Sequence, residues 1–243
     1  MFVTVAAPPD KAPDRIAGMF DAIAPRYDLL NHLLSAGIDK RWRARAIQSL
    51  ELTGRETLVD VATGTADVAL AARRGGPLGA ARVLGVDFAG AMLTLGLEKV
   101  RAAGDAGHIA LVRGDAMHLP VATASADAVT ISFGIRNVQQ PEIACREMAR
   151  VLRPGGRLAI LEFGVPRIPG VSGLYLWYFK QVLPRIGRLI SGHTGAYSYL
   201  PASVGSFPPP AEFMKILRQS GFDEVRAVPL TLGIVYLYVG RKR

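Results

Sequence analysis

The chain has 243 residues, half of them hydrophobic, and a formal net charge of +9 at pH 7. That length and apolar content suit one sizeable core, so residues 1–243 are read as a single domain. The lone cysteine, Cys145, excludes an internal disulfide framework, and no run approaches the ~18 uncharged apolar residues of a membrane span. The positive excess suits nucleic acid, an anionic bilayer or an acidic ligand equally, and so selects none of them.

Met1 to Asp14 has no basic start and carries Pro8, Pro9 and Pro13. It reads as a loose arm and not as a signal peptide, which places the protein in the cytoplasm. Apolar spacing from Asp14 to Ala36 and from Asp39 to Leu50 predicts helices, broken at Gly37. Strand candidates follow at Thr57 to Ala62, Arg82 to Phe88, Ile109 to Arg113, Asp127 to Phe133 and Arg157 to Phe163. They alternate with helical stretches at Ala66 to Arg74, Ala89 to Ala103 and Pro141 to Leu152. The last of these holds Cys145, which reads as a small buried hydrophobe. Pro154-Gly155-Gly156 then turns the chain. An insertion rich in aromatics and proline runs from Gly164 to Pro210, a helix spans Ala211 to Ser220, and strands at Asp223 to Pro229 and Gly233 to Arg241 close the sequence. Leu232-Gly233 supplies a hairpin turn, which makes the last strand antiparallel.

This alternation predicts an α/β fold with a doubly wound, mostly parallel seven-stranded sheet of Rossmann-like type, an antiparallel C-terminal strand and a helical N-terminal segment. Four parts are expected: a helical cap at 1–50, a cofactor-binding core at 51–163, a substrate or lid insertion at 164–210, and a C-terminal helix with two strands at 211–243.

The first strand runs into Asp60-Val61-Ala62-Thr63-Gly64-Thr65-Ala66-Asp67, a small-residue turn opening a helix. Such a turn lets backbone N–H groups approach a ligand, and the helix N-terminus favours an anion. It has no Gly-Lys-Ser/Thr and is not a phosphate loop. The second strand ends at Asp87, placed to accept from both ribose hydroxyls of a nucleoside. The third ends at Arg113-Gly114-Asp115-Ala116, where an aspartate can meet an adenine amino group. A dinucleotide-dependent dehydrogenase would share the ribose carboxylate but needs more of the glycine pattern than Gly64 provides. S-adenosylmethionine carries no phosphate and relaxes that need.

With those residues in place, the chain resembles the quinone C-methyltransferases of menaquinone and ubiquinone synthesis, which are class I S-adenosylmethionine-dependent methyltransferases, from about Phe20 to Val239. The resemblance rests on Arg26-Tyr27-Asp28-Leu29-Leu30-Asn31, Gly37-Ile38-Asp39 with Trp42, and Ser132-Phe133-Gly134-Ile135-Arg136-Asn137-Val138. Further along come Leu161-Glu162-Phe163, Val182-Leu183-Pro184-Arg185-Ile186-Gly187 and Tyr197-Ser198-Tyr199-Leu200-Pro201-Ala202-Ser203-Val204. It implies that Thr65 and Asp87 contact the cofactor, Asp115 and Ala116 border the adenine, and Ser132 lies beside it, with Asp60 and Gly64 in the same wall. It implies methylation of a prenylated quinol ring, demethylmenaquinol foremost and the ubiquinone-pathway methoxyquinol as the close variant.

The chain departs from the family at three positions: Ala66 stands for glycine, Gly164 for serine and Ala202 for glutamate. Ala66 is expected to deny its turn a positive φ.

Methyl transfer from a sulfonium asks for an in-line nucleophile and no metal. His32, His108, His118 and His193 are scattered and form no ligand pattern with Cys145. Carbon methylation of a quinol requires a phenolic proton to leave, hence a base or a cation. Arg136 and Asn137, just past the fourth strand, are the catalytic candidates, and Tyr27, His193 and Tyr197 are candidates to border substrate. The aromatic and basic stretch Tyr175 to Ile190 suits an anionic membrane surface at the inner face, or a lid helix packed on the sheet. A homodimer is left open. Two rival readings stay open: a methyltransferase on another small aromatic molecule, and a non-catalytic S-adenosylmethionine-binding or RNA-binding protein. The absence of an RNA-recognition core motif speaks against nucleic acid.

Overall fold

The structure is a computed structural model. It describes residues 10–35, 37–74, 79–80, 82–166, 168, 173 and 195–243. The stretch Tyr175 to Ile190 and His193 lie outside the described residues, as does the side chain of Tyr197.

Seven strands form one sheet in the order β3-β2-β1-β4-β5-β7-β6. They are β1 (Thr57–Val61), β2 (Arg82–Asp87), β3 (Ile109–Arg113), β4 (Ala126–Ser132), β5 (Leu152–Phe163), β6 (Phe222–Leu230) and β7 (Val235–Lys242). The first five pair in parallel, and β7 runs antiparallel to both β5 and β6. This is the doubly wound arrangement with an antiparallel C-terminal strand that the alternation predicts. The β6 to β7 connection is longer than a two-residue turn. Leu230 pairs with Val235, and Thr231, Leu232 and Gly233 all adopt positive φ. Trp42 Nε1 donates to Thr231 Oγ1 at 2.8 Å and holds this connection against the N-terminal helices.

Among the described residues the helices are α1 (Pro13–Leu34), α2 (Asp39–Ser49), α3 (Asp67–Arg73), α4 (Gly90–Ala102), α5 (Pro141–Val151), α6 (Gly195–Ser206) and α7 (Pro210–Gln219). Helices α1, α5 and α7 each begin on proline, whose fixed φ and missing N–H fit a first helical turn. Of the arm expected to be loose as far as Asp14, the described part, from Asp10 on, leads directly into α1. There Asp10 Oδ1 accepts the Ala12 N–H at 2.9 Å and starts α1. Pro154-Gly155-Gly156, expected to turn the chain ahead of the fifth strand, falls inside β5. The pairing shifts from Ala126 opposite Leu152 to Ala128 opposite Arg157 and takes up the extra residues.

Side chains of the central strands alternate between two cores, as a sheet covered on both faces requires. Val59, Val129, Leu158 and Ile160 pack with α5 and α7. Leu58, Ala128, Ala159 and Leu161 face the side of α2, α3 and α4. Cys145 is fully buried in the first core, and burial pushes its thiol up to about 12, so it stays protonated and inert. Phe213 joins Phe207 at 4.8 Å and Tyr238 at 4.9 Å between ring centroids and anchors α7 on the sheet. Replacing fully buried Phe213 by alanine should lower the unfolding free energy by about 3–5 kcal/mol, measured as a shifted denaturant midpoint with little change in slope.

Candidate active site

Strands β2 and β4 flank β1, so the chain leaves the sheet in opposite directions on either side of β1. A crevice must open at that point, outside the carboxyl ends of the strands. It is a cleft with about 820 Å³ of atom-free space, part of it open to solvent. Of the residues singled out in the sequence, Gly64, Asp87, Asp115, Ala116, Ser132, Asn137 and Tyr27 line it. Helix α1 forms a roof from Ile16, Ala17, Phe20 and Tyr27, while Phe88 and Met92 add apolar wall on the β2 side.

The turn after β1 holds Ala62, Gly64 and Ala66 at φ of 51°, 56° and 66°. Ala66 therefore takes the positive φ that an alanine was expected to deny it. The left-handed conformation costs an L-residue roughly 1–2 kcal/mol, and the surroundings hold it there. The Ala66 N–H bonds Thr63 O at 3.0 Å, and the methyl group is fully buried beside α2 and α3. Asp87 fastens the same turn from β2. Its Oδ2 accepts the Gly64 N–H at 2.7 Å and its Oδ1 the Ala89 N–H at 2.8 Å. Burial raises the Asp87 pKa, partly opposed by these amide donors. Each oxygen keeps a lone pair for a further donor from the cleft. Asp115 Oδ1 likewise accepts the Met117 N–H at 2.8 Å.

Thr65 and Asp60 belong to the same loop but do not line the cleft. The Thr65 hydroxyl donates to Asp28 Oδ1 at 2.6 Å and accepts from Lys99 Nζ at 3.1 Å. It thus sits in a network in which Lys99 also bonds Asp28 and Asp67, and Arg43 bridges Asp67 to Asp39. This network pins α1 and α2 to the nucleotide-type turn. Sequence reading gave Asp28 no role; the signal was its place beside Tyr27 in Arg26-Tyr27-Asp28.

Arg136 is also withdrawn from the cleft. Its backbone N–H bonds Glu162 Oε2 at 3.1 Å, and its Nη1 bonds Glu162 Oε1 at 2.7 Å and Phe133 O at 2.5 Å. Glu162 is wholly buried on β5, and Phe163 packs its ring under the guanidinium at 5.4 Å. The pair fixes the short 3₁₀ turn Ile135–Asn137 and leaves Asn137 facing the cleft. Asn137 Oδ1 and Ser132 Oγ are buried without hydrogen-bond partners, as is Arg136 Nε. Phe133 is held at φ 59° between them, with its ring 4.6 Å from Phe163. Strain and unsatisfied polar atoms are thus concentrated in this one turn at the edge of the cleft.

Asp60 lies beneath the loop, where its Oδ2 accepts the Thr63 hydroxyl at 2.6 Å. Gly85 makes this possible, because a Cβ there would stand 2.8 Å from Thr63 Oγ1. Burial outweighs that hydrogen bond and raises the Asp60 pKa from 3.8 to about 7. The folded state then keeps a proton that the unfolded chain has already lost, so this group withdraws stability as pH rises between those two values. Asp60→Asn has no proton to lose. Its stability relative to the parent chain should climb from about pH 4 to about pH 7 and level off above, as denaturant midpoints taken across that window will show.

The profile of the ubiE/COQ5 methyltransferase family matches residues 10–242. A "Ubiquinone/menaquinone biosynthesis C-methyltransferase UbiE" of Syntrophotalea carbinolica is 50% identical over 222 residues, covering 91% of this chain and 92% of that protein. A "Demethylmenaquinone methyltransferase" of Thermus thermophilus is 45% identical over 222 residues, covering 91% and 99%. Among solved structures, the (4+2) cyclase SpnF superposes with a TM-score of 0.72 at 16% identity, over 98% of this chain and 99% of that one. An S-adenosylmethionine-dependent methyltransferase from Aquifex aeolicus gives 0.59 at 17%, over 83% and 89%. The structural likenesses speak for the fold alone; the sequence match across nearly the whole length shows that this chain belongs to the ubiE/COQ5 methyltransferase family.

Proposed function

We propose that the protein transfers the methyl group of S-adenosylmethionine to a ring carbon of a prenylated quinol, converting demethylmenaquinol to menaquinol. One observation carries the reading. A single cleft gathers Gly64, Asp87, Asp115 and Ala116 on one side and Ser132 and Asn137 on the other, in a chain about half identical to relatives named for this chemistry.

The residues fit the cofactor. Asp87 has both oxygens at the cleft with acceptor capacity left for a ribose diol. Asp115 and Ala116 supply a short polar edge of adenine size, and Phe88 and Met92 give it apolar faces. The turn at 62–66 bares backbone toward the polar end of the ligand. When bound, S-adenosylmethionine supplies an electrophilic methyl group, and the protein supplies alignment and a water-poor cleft. Asn137 accepts a hydrogen bond from the quinol through its free Oδ1. Arg136 acts by locking the turn that presents Asn137, with Glu162 as its anchor. Tyr27 closes the cleft from α1. Among the described residues no helix is long and apolar enough to cross a membrane.

Purified protein, labelled S-adenosylmethionine and short-tailed demethylmenaquinol should give a methylated quinol by mass spectrometry, with the methoxyquinol as a parallel arm. Methylation of neither quinol overturns the reading. Asp87→Asn should weaken cofactor binding in calorimetry roughly 10–100-fold, the equivalent of ~1.5–3 kcal/mol for hydrogen bonds to a charged acceptor.

A further inference from the structure

The chemistry just described needs a group that takes the hydroxyl proton of the quinol, and the residues known from the motif do not provide one. The Arg136 guanidinium offers only N–H donors and no acceptor. Glu162 already accepts from the Arg136 side chain and backbone and from the Phe163 N–H, and it has no exposed surface. Asp87 and Asp115 are engaged by backbone amides at the cofactor end of the cleft. The ionisable residues lining the cleft among those described are Lys11, Tyr27, Asp87 and Asp115.

We propose that Lys11 is the proton acceptor for methyl transfer, its neutral amine taking the hydroxyl proton of the aromatic substrate beside Asn137. The proposal rests on the quinol reading above. Its footing is geometric. Lys11 precedes α1 by two residues, the Asp10 cap and Pro13 fix the start of that helix, and the side chain lines the cleft, half-buried. Charged groups face it from three elements: Glu162 on β5, Arg136 in the 3₁₀ turn, and Glu142 on α5. Tyr199 of α6, buried at its hydroxyl and without a partner, feels the same Arg136 and Glu162 and also Asp10. Of the two carboxylates near Lys11, Glu162 is wholly buried and already held by Arg136, while Glu142 is exposed to water, so the half-buried amine has no buried counter-ion of its own among the described residues.

Burial without a counter-ion of its own is what frees the amine. Burial lowers the Lys11 pKa most; Glu162 raises it, Arg136 lowers it again and Glu142 raises it. A sulfonium entering the cleft adds positive charge and favours the neutral amine further. The balance of the step is simple. The amine takes the O–H proton, the released pair moves into the ring, the ring carbon forms its bond to the methyl group, and the S–CH₃ bond breaks to leave a neutral thioether. The dienone so formed passes its ring proton to water, and the ammonium returns its proton to the oxygen. One methyl group is moved and one proton released.

Kinetics of the full chain with S-adenosylmethionine and demethylmenaquinol test this. Lys11→Ala should lower kcat by about 10²–10⁴-fold, the range for loss of a general base, leave cofactor affinity within about twofold, and recover part of its rate with added ethylamine. Lys11→Arg keeps the charge but cannot accept a proton, and should stay as slow. Glu142 is exposed, so Glu142→Gln should fold normally and shift the acid limb of the kcat–pH profile to lower pH, because it removes a carboxylate that favours the ammonium. A Lys11→Ala chain with near-normal kcat, an active Lys11→Arg, or a parallel loss of cofactor binding each overturns the proposal. A separate reading needs no turnover. After reductive ¹³C-methylation, the Lys11 resonance, assigned with Lys11→Arg, should titrate below the other lysines. Titration together with them sinks the proposal even if the parent chain methylates quinols, whereas an inactive parent chain with a low-titrating Lys11 counts against the quinol reading alone.

Discussion

Everything in this molecule is arranged around the reversal of winding at β1. Two parallel neighbours, β2 and β4, fix the register of β1 through Asp60, which lies opposite Gly85 on one side and Thr130 on the other. The connections then depart to opposite faces and cannot close over the strand ends. The opening is a consequence of topology, and the polar residues at the ends of β2, β3 and β4 face it because a strand end is where a buried sheet first meets solvent. Asp87 does more than face it: by accepting the Gly64 N–H it ties the end of β2 to the turn after β1 and sets the width of the crevice.

The parts legible in the sequence are those set by local periodicity. Short apolar runs alternating with amphipathic ones marked the first four parallel strands and their helices to within about a residue, though β5 begins five residues before its expected start, and carboxylates at the ends of two strands marked Asp87 and Asp115. The side-chain direction of Thr65 was not legible, because it depends on Asp28 and Lys99, 37 and 34 residues away in the chain. Neither was the inward turn of Arg136, whose partner Glu162 lies on the next strand. An acidic residue inside an apolar strand, as in Leu161-Glu162-Phe163, was the available signal, since a wholly buried carboxylate needs a cation or a proton. Ala66 shows the reverse case: propensity argued against positive φ, and tertiary contacts overrode it.

The electrostatics divide in the same way. The net charge of +9 says little about the site, because exposed arginines are individually weak in water. The consequential charges are few and buried. Glu162 is matched by Arg136, whereas the Thr63 hydroxyl, the Ala69 amide and the Arg43 charge do not outweigh the burial of Asp60, which holds its proton toward neutrality. Glu162 lies behind the turn after β4 and Asp60 beneath the turn after β1, and the cleft lined by Asn137 and Gly64 opens between those ends.

Helix α1 joins these ends. Successive residues on a helix point about a third of a turn apart, so Tyr27 and Asp28 can serve different purposes from adjacent positions. Tyr27 closes the cleft, while Asp28 takes the Thr65 hydroxyl and the Lys99 ammonium outside it. The roof is thereby fastened to the turn it covers, and Lys11, just ahead of it, is carried to the Arg136–Glu162 pair. The likeness to a cyclase at 16% identity over nearly the whole chain is one of fold alone, and a fold that provides a crevice does not by itself fix the chemistry done in it.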